Sequence, residues 1–332
     1  MPKTLELLGL QFNSPHLNEE NILEVVLKQS IESFNSSIQS SGHAFAMRNA
    51  SSNLSAHANA AEQLSGLAQL RHLKSESNNI SLKAIESLHK KIMENSFKKY
   101  FVTSSEERPE IEKFASENGA NLLNNQSSKV KLRPTDALKN HHDLEGCQVN
   151  YVSLAFPVEE ADYAGMRVLS HLMAAKFLHP MIRERGGAYG GGCVPPDHGS
   201  DLKTFRFFSY RDPANLDTVA RFREAAMYIL QKKPALTADW SDLSPWTETC
   251  LDEAKLRAFQ VIDAPIAESS KGFSEFLHGR SIADDNEYRR KVLSVSKEDI
   301  IRLTEKYLLD RCDASDESSQ ISIIGPKEAL LA

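Results

Sequence analysis

Cysteine is scarce in this chain of 332 residues, and its four copies lie tens of residues apart. No C-x-x-C pair is present, so the sequence excludes the zinc ribbons and dithiol redox motifs that require that spacing. The 11 histidines include no two that are three or four residues apart. The motifs H-x-x-E-H and H-E-x-x-H, which place two imidazoles on one face of a helix, are therefore absent. Scattered cysteines indicate reduced thiols, with one long-range disulfide left open.

Long apolar runs and an excess of basic residues are also missing. No stretch approaches the roughly 18 uncharged apolar residues that a membrane-spanning helix needs. The segment Met1–Glu6 lacks the basic and apolar parts of a signal peptide. The 39 basic side chains are outnumbered by 45 acidic ones, which gives a formal charge of −6. We therefore expect neither a membrane nor a nucleic acid among the partners of this chain.

One dense cluster of possible metal ligands remains, at His141, His142, Asp143 and Glu145. Adjacent residues of an extended chain point to opposite sides, and the surrounding sequence is polar and resembles a linker. The sequence therefore predicts no metal site in this chain.

The first part of the chain is predicted to be helical. Apolar residues spaced three and four apart indicate a helix capped by Ser14 or Asn18, and similar patterns indicate three more helices. The apolar positions of the first helix are Ile22, Val25, Val26, Ile31 and Phe34, and the other helices run over about 59–74, 81–94 and 106–118. The aromatic and β-branched segment Phe97–Thr103 predicts a strand.

A polar stretch with few large apolar residues predicts a domain boundary near the middle of the chain. The length agrees with two domains at roughly 150 residues each. We place a first domain at 1–128, a linker at 129–146 and a second domain at 147–332. The first domain contains no clear pair of strands on which its helices could pack, and is therefore expected to be truncated.

The second part alternates strands with helices, which predicts an α+β or α/β sandwich with helices covering a sheet. The predicted strands are Val149–Phe156, Phe205–Tyr210 and Gln320–Ile324, and the predicted helices are about Ala161–Arg185, Leu216–Leu230, Leu251–Val261 and Glu298–Leu308. The long first helix has an apolar stripe, formed by Met166, Leu169, Leu172, Met173, Phe177 and Met181.

Five of the 15 glycines lie within seven residues, directly after that long helix. Three interpretations of this segment compete. In the first interpretation the segment forms a helix end followed by a bulged hairpin, and Arg183 and Arg185 complement the helix dipole. A phosphate cradle requires a strand before the glycines and a helix after them, and the order here is the reverse. The third is a carbonyl-binding site, in which Arg183 and Tyr189 donate hydrogen bonds to an oxygen that gains negative charge.

The same residues resemble the C-terminal half of the presequence-protease branch of the pitrilysin/insulinase family of inverted-motif zinc peptidases. The segments that carry the resemblance occur in the family's order and cover nearly the whole chain. They are Ser41–Ala46, Leu64–Leu67, Ala175–His179, Ile182–Gly192, Phe208–Pro213, Asp263–Pro265, Ser270–Gly272 and Ile324–Pro326.

The resemblance implies two α+β domains of the pitrilysin type, the first a truncated third domain and the second a complete fourth domain. In this family two halves close around an unfolded peptide. Arg183 and Tyr189 match the family's arginine and tyrosine, six residues apart, that reach the substrate carbonyl. Gly186, Gly187 and Gly190 are expected to let the substrate backbone approach.

The chain departs from the family in lacking the zinc half. The resemblance therefore implies a non-zinc half that supplies chamber wall and substrate contacts, with zinc in the missing N-terminal half as its partner. Such a half is not expected to cleave peptides alone. The alternative is a noncatalytic peptide-binding or partner subunit of the same family. The family branch implies the mitochondrial matrix, although the chain itself contains no targeting segment.

Three further candidates are interpreted as structural. Arg211 and Asp212 precede Pro213 and predict a turn pair. Lys271 is expected to be a solvated loop residue. The segment Lys232–Glu248, which contains Trp240 and Trp246, is predicted to be a mobile surface insertion.

Overall fold

A computed structural model describes most of the chain, namely residues 2–13, 15, 19–95, 100–104, 106, 108–118, 141–144, 147–196, 203–232, 240, 242–309 and 320–326. The chain divides into two compact units. The first comprises 1–34, 71–130 and 266–279, and the second comprises 35–70, 131–265 and 280–332. The predicted caps Ser14 and Asn18 lie outside the described residues.

Helices and strands both occur, and most of the predicted elements are present. The α-helices are α1 Pro2–Asn13, α2 Glu20–Ser51, α3 Ala56–Ser65, α4 Leu67–Glu76, α5 Leu82–Asn95, α6 Pro109–Asn118, α7 Tyr163–Met173, α8 Leu216–Ile229, α9 Glu248–Ile262, α10 Phe273–His278, α11 Ile282–Ser294 and α12 Lys297–Thr304. The strands are β1 His141–Asp143, β2 Tyr151–Pro157, β3 Gly190–Val194, β4 Thr204–Tyr210 and β5 Gln320–Gly325. Wider π-helical turns extend α7 over Ala174–Arg185 and α12 over Glu305–Leu309.

The second unit is built on a five-stranded sheet with the order β1-β5-β2-β4-β3. Only β1 and β5 pair in parallel, and the other neighbours are antiparallel. β4 shows why the sheet has two covered faces. Phe205 and Phe207 are fully buried on one face, and the alternate residues Phe208 and Tyr210 point to the other. The predicted α+β class is confirmed.

Helix α7 and its π-helical extension cover the first face. The predicted stripe is buried throughout, from Met166 to Met181. Phe207 stacks on Phe222 of α8 with 5.1 Å between ring centroids. Each large apolar side chain that is fully buried in this way contributes about 1.5 to 3 kcal/mol to the stability of the fold. The long helix predicted over 161–185 is thus confirmed, and its burial is the main hydrophobic core.

Residues 35–51 of α2 cover the second face, within the same unit. The Tyr151 hydroxyl donates to the carbonyl of Gln39, and His43 packs against Phe208 and Tyr210. Gly42 allows this approach, because a Cβ atom there would lie 2.3 Å from the Tyr151 ring. The helix at this place belongs to the sheet's core even though more than 100 residues separate the two in sequence.

The first unit contains α1, the start of α2, α5, α6 and α10. Its predicted helices are confirmed in position, but Ile22, Val25 and Val26 are exposed. The predicted strand over 97–103 is wrong for 100–103, which form no strand; 97–99 lie outside the described residues. Phe101 packs instead on Phe273 and Phe276, at 5.3 and 5.4 Å between ring centroids. Contacts between partly exposed aromatic rings, rather than strand pairing, hold this segment.

The predicted surface insertion over Lys232–Glu248 is wrong where the structure describes it. Trp240 and Trp246 are buried in the core of the second unit. The indole N–H of Trp246 donates to the Ile229 carbonyl at 2.8 Å. A tryptophan whose single polar group finds a partner is stable in a core, because its large apolar area is removed from water. Residues 233–239 and 241 lie outside the described residues.

The predicted boundary at 129–146 lies mainly outside the described residues. Its described part, 141–144, includes β1, which pairs with β5. The domain limits at 1–128 and 147–332 stay a prediction. Among the described residues no helix is both long enough and apolar enough to span a bilayer.

Candidate functional site

The candidate site begins where the long helix ends. Gly187 follows the last helical turn with φ +77°, a left-handed conformation that a side chain disfavours. The N–H groups of Gly187 and Ala188 donate to the carbonyls of Arg183 and Ile182 at 3.1 and 3.2 Å. The helix is therefore closed at its C-terminus, and the chain turns directly into β3. This is the helix end and hairpin of the first interpretation, and the element order of a phosphate cradle is absent here.

The predicted glycines have different structural reasons. A Cβ at Gly186 would lie 2.0 Å from a guanidinium nitrogen of Arg221 and 2.4 Å from the Ile182 carbonyl oxygen, so close internal packing explains this glycine. At Gly190 a Cβ would meet nothing within 4 Å. Gly190 therefore opens the start of β3 to space, and Gly187 provides the bend.

Tyr189 projects from this bend, with 66% of its surface exposed. The Arg183 guanidinium lies 5.8 Å from the centre of the Tyr189 ring, a cation–π contact. On the other side, Tyr210 packs against the ring edge-to-face at 5.6 Å. The two residues predicted to act together, Arg183 and Tyr189, are thus adjacent and exposed.

Tyr210 is the site residue that the sequence did not reveal. Its backbone pairs with Gly190 across β4 and β3, and its hydroxyl donates to the Ser40 carbonyl at 3.2 Å. This contact fixes the ring that supports Tyr189. The signal was available only as strand alternation in Phe205–Tyr210, which places Tyr210 on the face opposite the buried phenylalanines.

Asp212 and Arg211 form the turn that follows Tyr210. The buried Asp212 carboxylate accepts hydrogen bonds from the Ala214 N–H at 2.9 Å and from the Thr218 hydroxyl at 2.7 Å. Burial raises the pKa of Asp212, partly offset by these hydrogen bonds. Asp212 therefore has the structural role in a turn that the sequence predicts, whereas Arg211 is exposed and lies 5.5 Å from the Tyr210 ring centre.

No group of three histidine, cysteine or acidic residues that could hold a metal occurs in the part of the chain that the structure describes. In the predicted cluster, His142 pairs with the Asn49 side chain at 2.9 Å, and Glu145 lies outside the described residues. Among the other candidates, Lys271 pairs with Glu268 at 2.7 Å, and Arg185 pairs with Asp242. These two cations have carboxylate partners.

The arrangement can donate hydrogen bonds to an acceptor that lies over the bend. A guanidinium offers several N–H groups and no acceptor, and a phenol offers one O–H. Arg183 lies in the last helical turn, and Tyr189 directly precedes the paired strand β3. Such preorganised donors stabilise an oxygen on which negative charge develops.

Comparison with known families gives the site its context. Residues 145–324 match the family described as PreP C-terminal domain, which covers more than half of the chain. The chain belongs to this family. Residues 1–75 match a second family, whose description is that of a peptidase-associated region. The bend, Tyr189 and Tyr210 all lie within the PreP C-terminal domain.

Curated relatives of this PreP C-terminal domain protein are mitochondrial presequence proteases. That of Xenopus tropicalis is 30% identical and aligns with the whole chain, which covers 34% of its length. That of Saccharomyces cerevisiae is 30% identical over 94% of the chain and 31% of its own length. The chain therefore spans about a third of these relatives and corresponds to their C-terminal part. The predicted resemblance is confirmed.

A solved structure of a conserved protein from Enterococcus faecalis V583 is similar in fold. It covers 92% of this chain and 67% of its own, with a TM-score of 0.50 and 12% identity. At this identity the likeness shows the fold alone.

Proposed function

We propose that this chain is the non-zinc half of a presequence-protease-like metalloendopeptidase that degrades unstructured peptides. It supplies chamber wall and hydrogen-bond donors to the substrate. The observation that carries this proposal is the exposed Tyr189 phenol, with the Arg183 guanidinium against its ring, at the open start of β3. The names of the curated relatives support the reaction class and a mitochondrial location, which we extend to the matrix.

Each residue of the site has a separate role in this proposal. Arg183 and Tyr189 donate hydrogen bonds to the carbonyl oxygen of the bond to be cleaved, and these strengthen as the oxygen becomes negative. Gly187 sets the bend, and Gly190 keeps a side chain away from the substrate backbone. Gly186 acts indirectly, because its missing Cβ lets the helix end pack against Arg221 and Ile182. Tyr210 holds the Tyr189 ring in place through the edge-to-face contact.

The described residues of this chain do not fit a zinc site, so no step of the reaction is assigned to zinc here. We propose that zinc belongs to an N-terminal half, which is the partner of this chain. The second half of the active site, and the water-activating chemistry, would come from that partner.

The test compares the turnover of variants at Arg183, Tyr189 and the nearby Arg185 in the full-length protease. Arg183→Ala and Tyr189→Phe each remove one donor, and we expect turnover of a long unstructured peptide to fall about 10²-fold or more. Zinc content should stay unchanged in both. Arg185→Ala is the matched control, because Arg185 already pairs with Asp242 and should not contact substrate.

Two results would separate the alternatives. Equal turnover by Arg183→Ala, Tyr189→Phe and the unaltered protein would remove these residues from catalysis. If the chain binds peptide but never supports turnover with a zinc-containing half, it is a noncatalytic peptide-binding or partner subunit.

A further inference from the structure

Arg211 is an exposed cation whose role the turn does not explain. Asp212 makes the hydrogen bonds that hold the turn, as described above. The described side-chain partners of Arg211 are the Tyr210 ring, at 5.5 Å, and the phenol of Tyr151. Neither partner is a carboxylate, whereas Arg185 and Arg302 on the same unit each pair with one. The Arg211 guanidinium therefore keeps donors available for another acceptor.

The backbone of Arg211 is held in an unfavourable conformation. Its φ is +49°, in the left-handed region, where a Cβ atom clashes with the following carbonyl and glycine is favoured. Residues held in this way concentrate at binding and catalytic sites, where the surrounding structure enforces them. Gln231 is the other non-glycine residue with positive φ in the described part of the chain, and its side chain donates to the Trp246 carbonyl in the core. The side chain of Gln231 is thus used inside the protein, whereas the side chain of Arg211 is exposed to solvent.

Arg211 is connected to the proposed catalytic pair through a row of rings. Arg183 lies on Tyr189, Tyr189 contacts Tyr210, and Arg211 lies on Tyr210. These three contacts limit the separation of the two guanidinium groups to about 17 Å, which is about five residues of an extended strand. The backbone ties the ends together as well, because the Tyr189 N–H donates to the Arg211 carbonyl at 3.3 Å.

We propose that Arg211 is a second substrate-binding residue of this site. It donates hydrogen bonds to a main-chain carbonyl of the bound peptide, within about five residues of the carbonyl that Arg183 and Tyr189 contact. An unfolded peptide exposes unpaired carbonyls along its length, so this contact does not depend on the side chains of the substrate. The inference rests on the proposed function and adds a second anchor to it.

The experiment measures peptide affinity of the chain itself. The probe is a fluorescein-labelled, C-terminally amidated 20-residue peptide of alanine, serine, glutamine and glycine, which contains no carboxylate. Arg211→Gly removes the guanidinium and adopts φ +49° without a clash, so this variant should keep its fold and melting temperature. We expect its Kd to rise about tenfold, the loss typical of one hydrogen bond to a charged group. Arg211→Lys should restore part of the affinity, because lysine keeps the charge without the planar fork.

The control is Gln231→Gly, which makes the same backbone change at the other positive-φ position. Its Kd should equal that of the unaltered chain. An unchanged Kd in Arg211→Gly, together with a loss in Arg183→Ala, would overturn this inference and leave the proposed function standing. A loss seen only with a second probe that carries glutamates would assign Arg211 to acidic side chains and overturn the carbonyl contact. No binding by the unaltered chain would overturn this inference, while the turnover test of Arg183→Ala and Tyr189→Phe in the full-length protease decides the proposed function separately.

Discussion

At the scale of single residues, the site depends on pairs of side chains that support each other. Tyr189 is exposed, yet its ring is held between Arg183 and Tyr210. A phenol on a free loop would lose conformational entropy on binding, whereas this one is already oriented. This preorganisation supports the donor role that we propose for Arg183 and Tyr189.

The partly buried His171 is expected to make the stability of the second unit depend on pH. Burial, together with the nearby charges of Arg167 and Arg257, lowers the pKa of His171 to about 4. The unfolded chain has the ordinary histidine pKa near 6.5, so as the pH falls below 6.5 the unfolded state takes up the proton first. The stabilisation is therefore complete above pH 6.5 and is lost as the pH falls toward 4.

We expect His171→Gln to remove this pH dependence. Between pH 7.5 and 5 the unfolding free energy of the unaltered chain should fall by about 1 to 2 kcal/mol more than that of the variant, with allowance for partial exposure. Denaturant unfolding at both pH values measures the difference. Other groups that titrate in this range contribute equally to both proteins, so the comparison with the variant removes their effect. One of them is His43, because burial lowers its pKa as well. Parallel curves for the two proteins would contradict the prediction.

At the scale of elements, the junction of helix and strand decides what reaches the surface. The π-helical extension of α7 ends at Arg185, and β3 begins only five residues later. β3 borders β4 and no other strand in the described part of the sheet. Half of the backbone groups of such a strand face away from its one neighbour.

Two alanine substitutions in this junction should separate folding from binding. Gly187→Ala places a Cβ at φ +77° and should lower the unfolding free energy by about 1 to 2 kcal/mol. Gly190→Ala meets open space and should change stability by less than about 0.5 kcal/mol, while it weakens binding of an unstructured peptide. Thermal unfolding and fluorescence anisotropy measure the two effects. If Gly190→Ala bound peptide as tightly as the unaltered chain, the start of β3 would not contact substrate.

At the scale of the whole molecule, the second unit combines segments from distant parts of the sequence. Residues 35–70 lie in the same compact unit as the sheet, and 266–279 lie in the other. The cover of the sheet by residues 35–51 is a product of this arrangement.

The isolated chain should bind unstructured peptide without cleaving it. No group of three metal ligands occurs in the described residues, and water activation in the proposed reaction requires the zinc half. Mass spectrometry of a long unstructured peptide should show it intact after incubation with the chain, with or without added zinc. Mixing the chain with a zinc-containing N-terminal half should produce fragments. Zinc-dependent cleavage by the chain alone would contradict this prediction.

The accuracy of the sequence predictions followed the range of the interactions involved. The helix over 161–185 and the strand over 205–210 were predicted correctly because their side-chain periodicity is local. Phe101 and Trp246 were not, because their packing depends on partners elsewhere in the chain: Phe101 contacts Phe273, and Trp246 donates to Ile229. Aromatic residues are especially ambiguous in sequence, since strands, cores and surface loops all contain them.

The sequence by itself determined the order of the elements, the bend after the long helix and membership in the PreP C-terminal domain family. Backbone preferences and short motifs are written in consecutive residues, so they can be recognised without a structure. Only the tertiary structure decided that Tyr210 supports Tyr189 and that Arg211 extends the same row. These contacts join the end of the long helix to the last residues of β4. The pairing of β3 with β4 brings these residues together, and no local sequence pattern specifies that pairing.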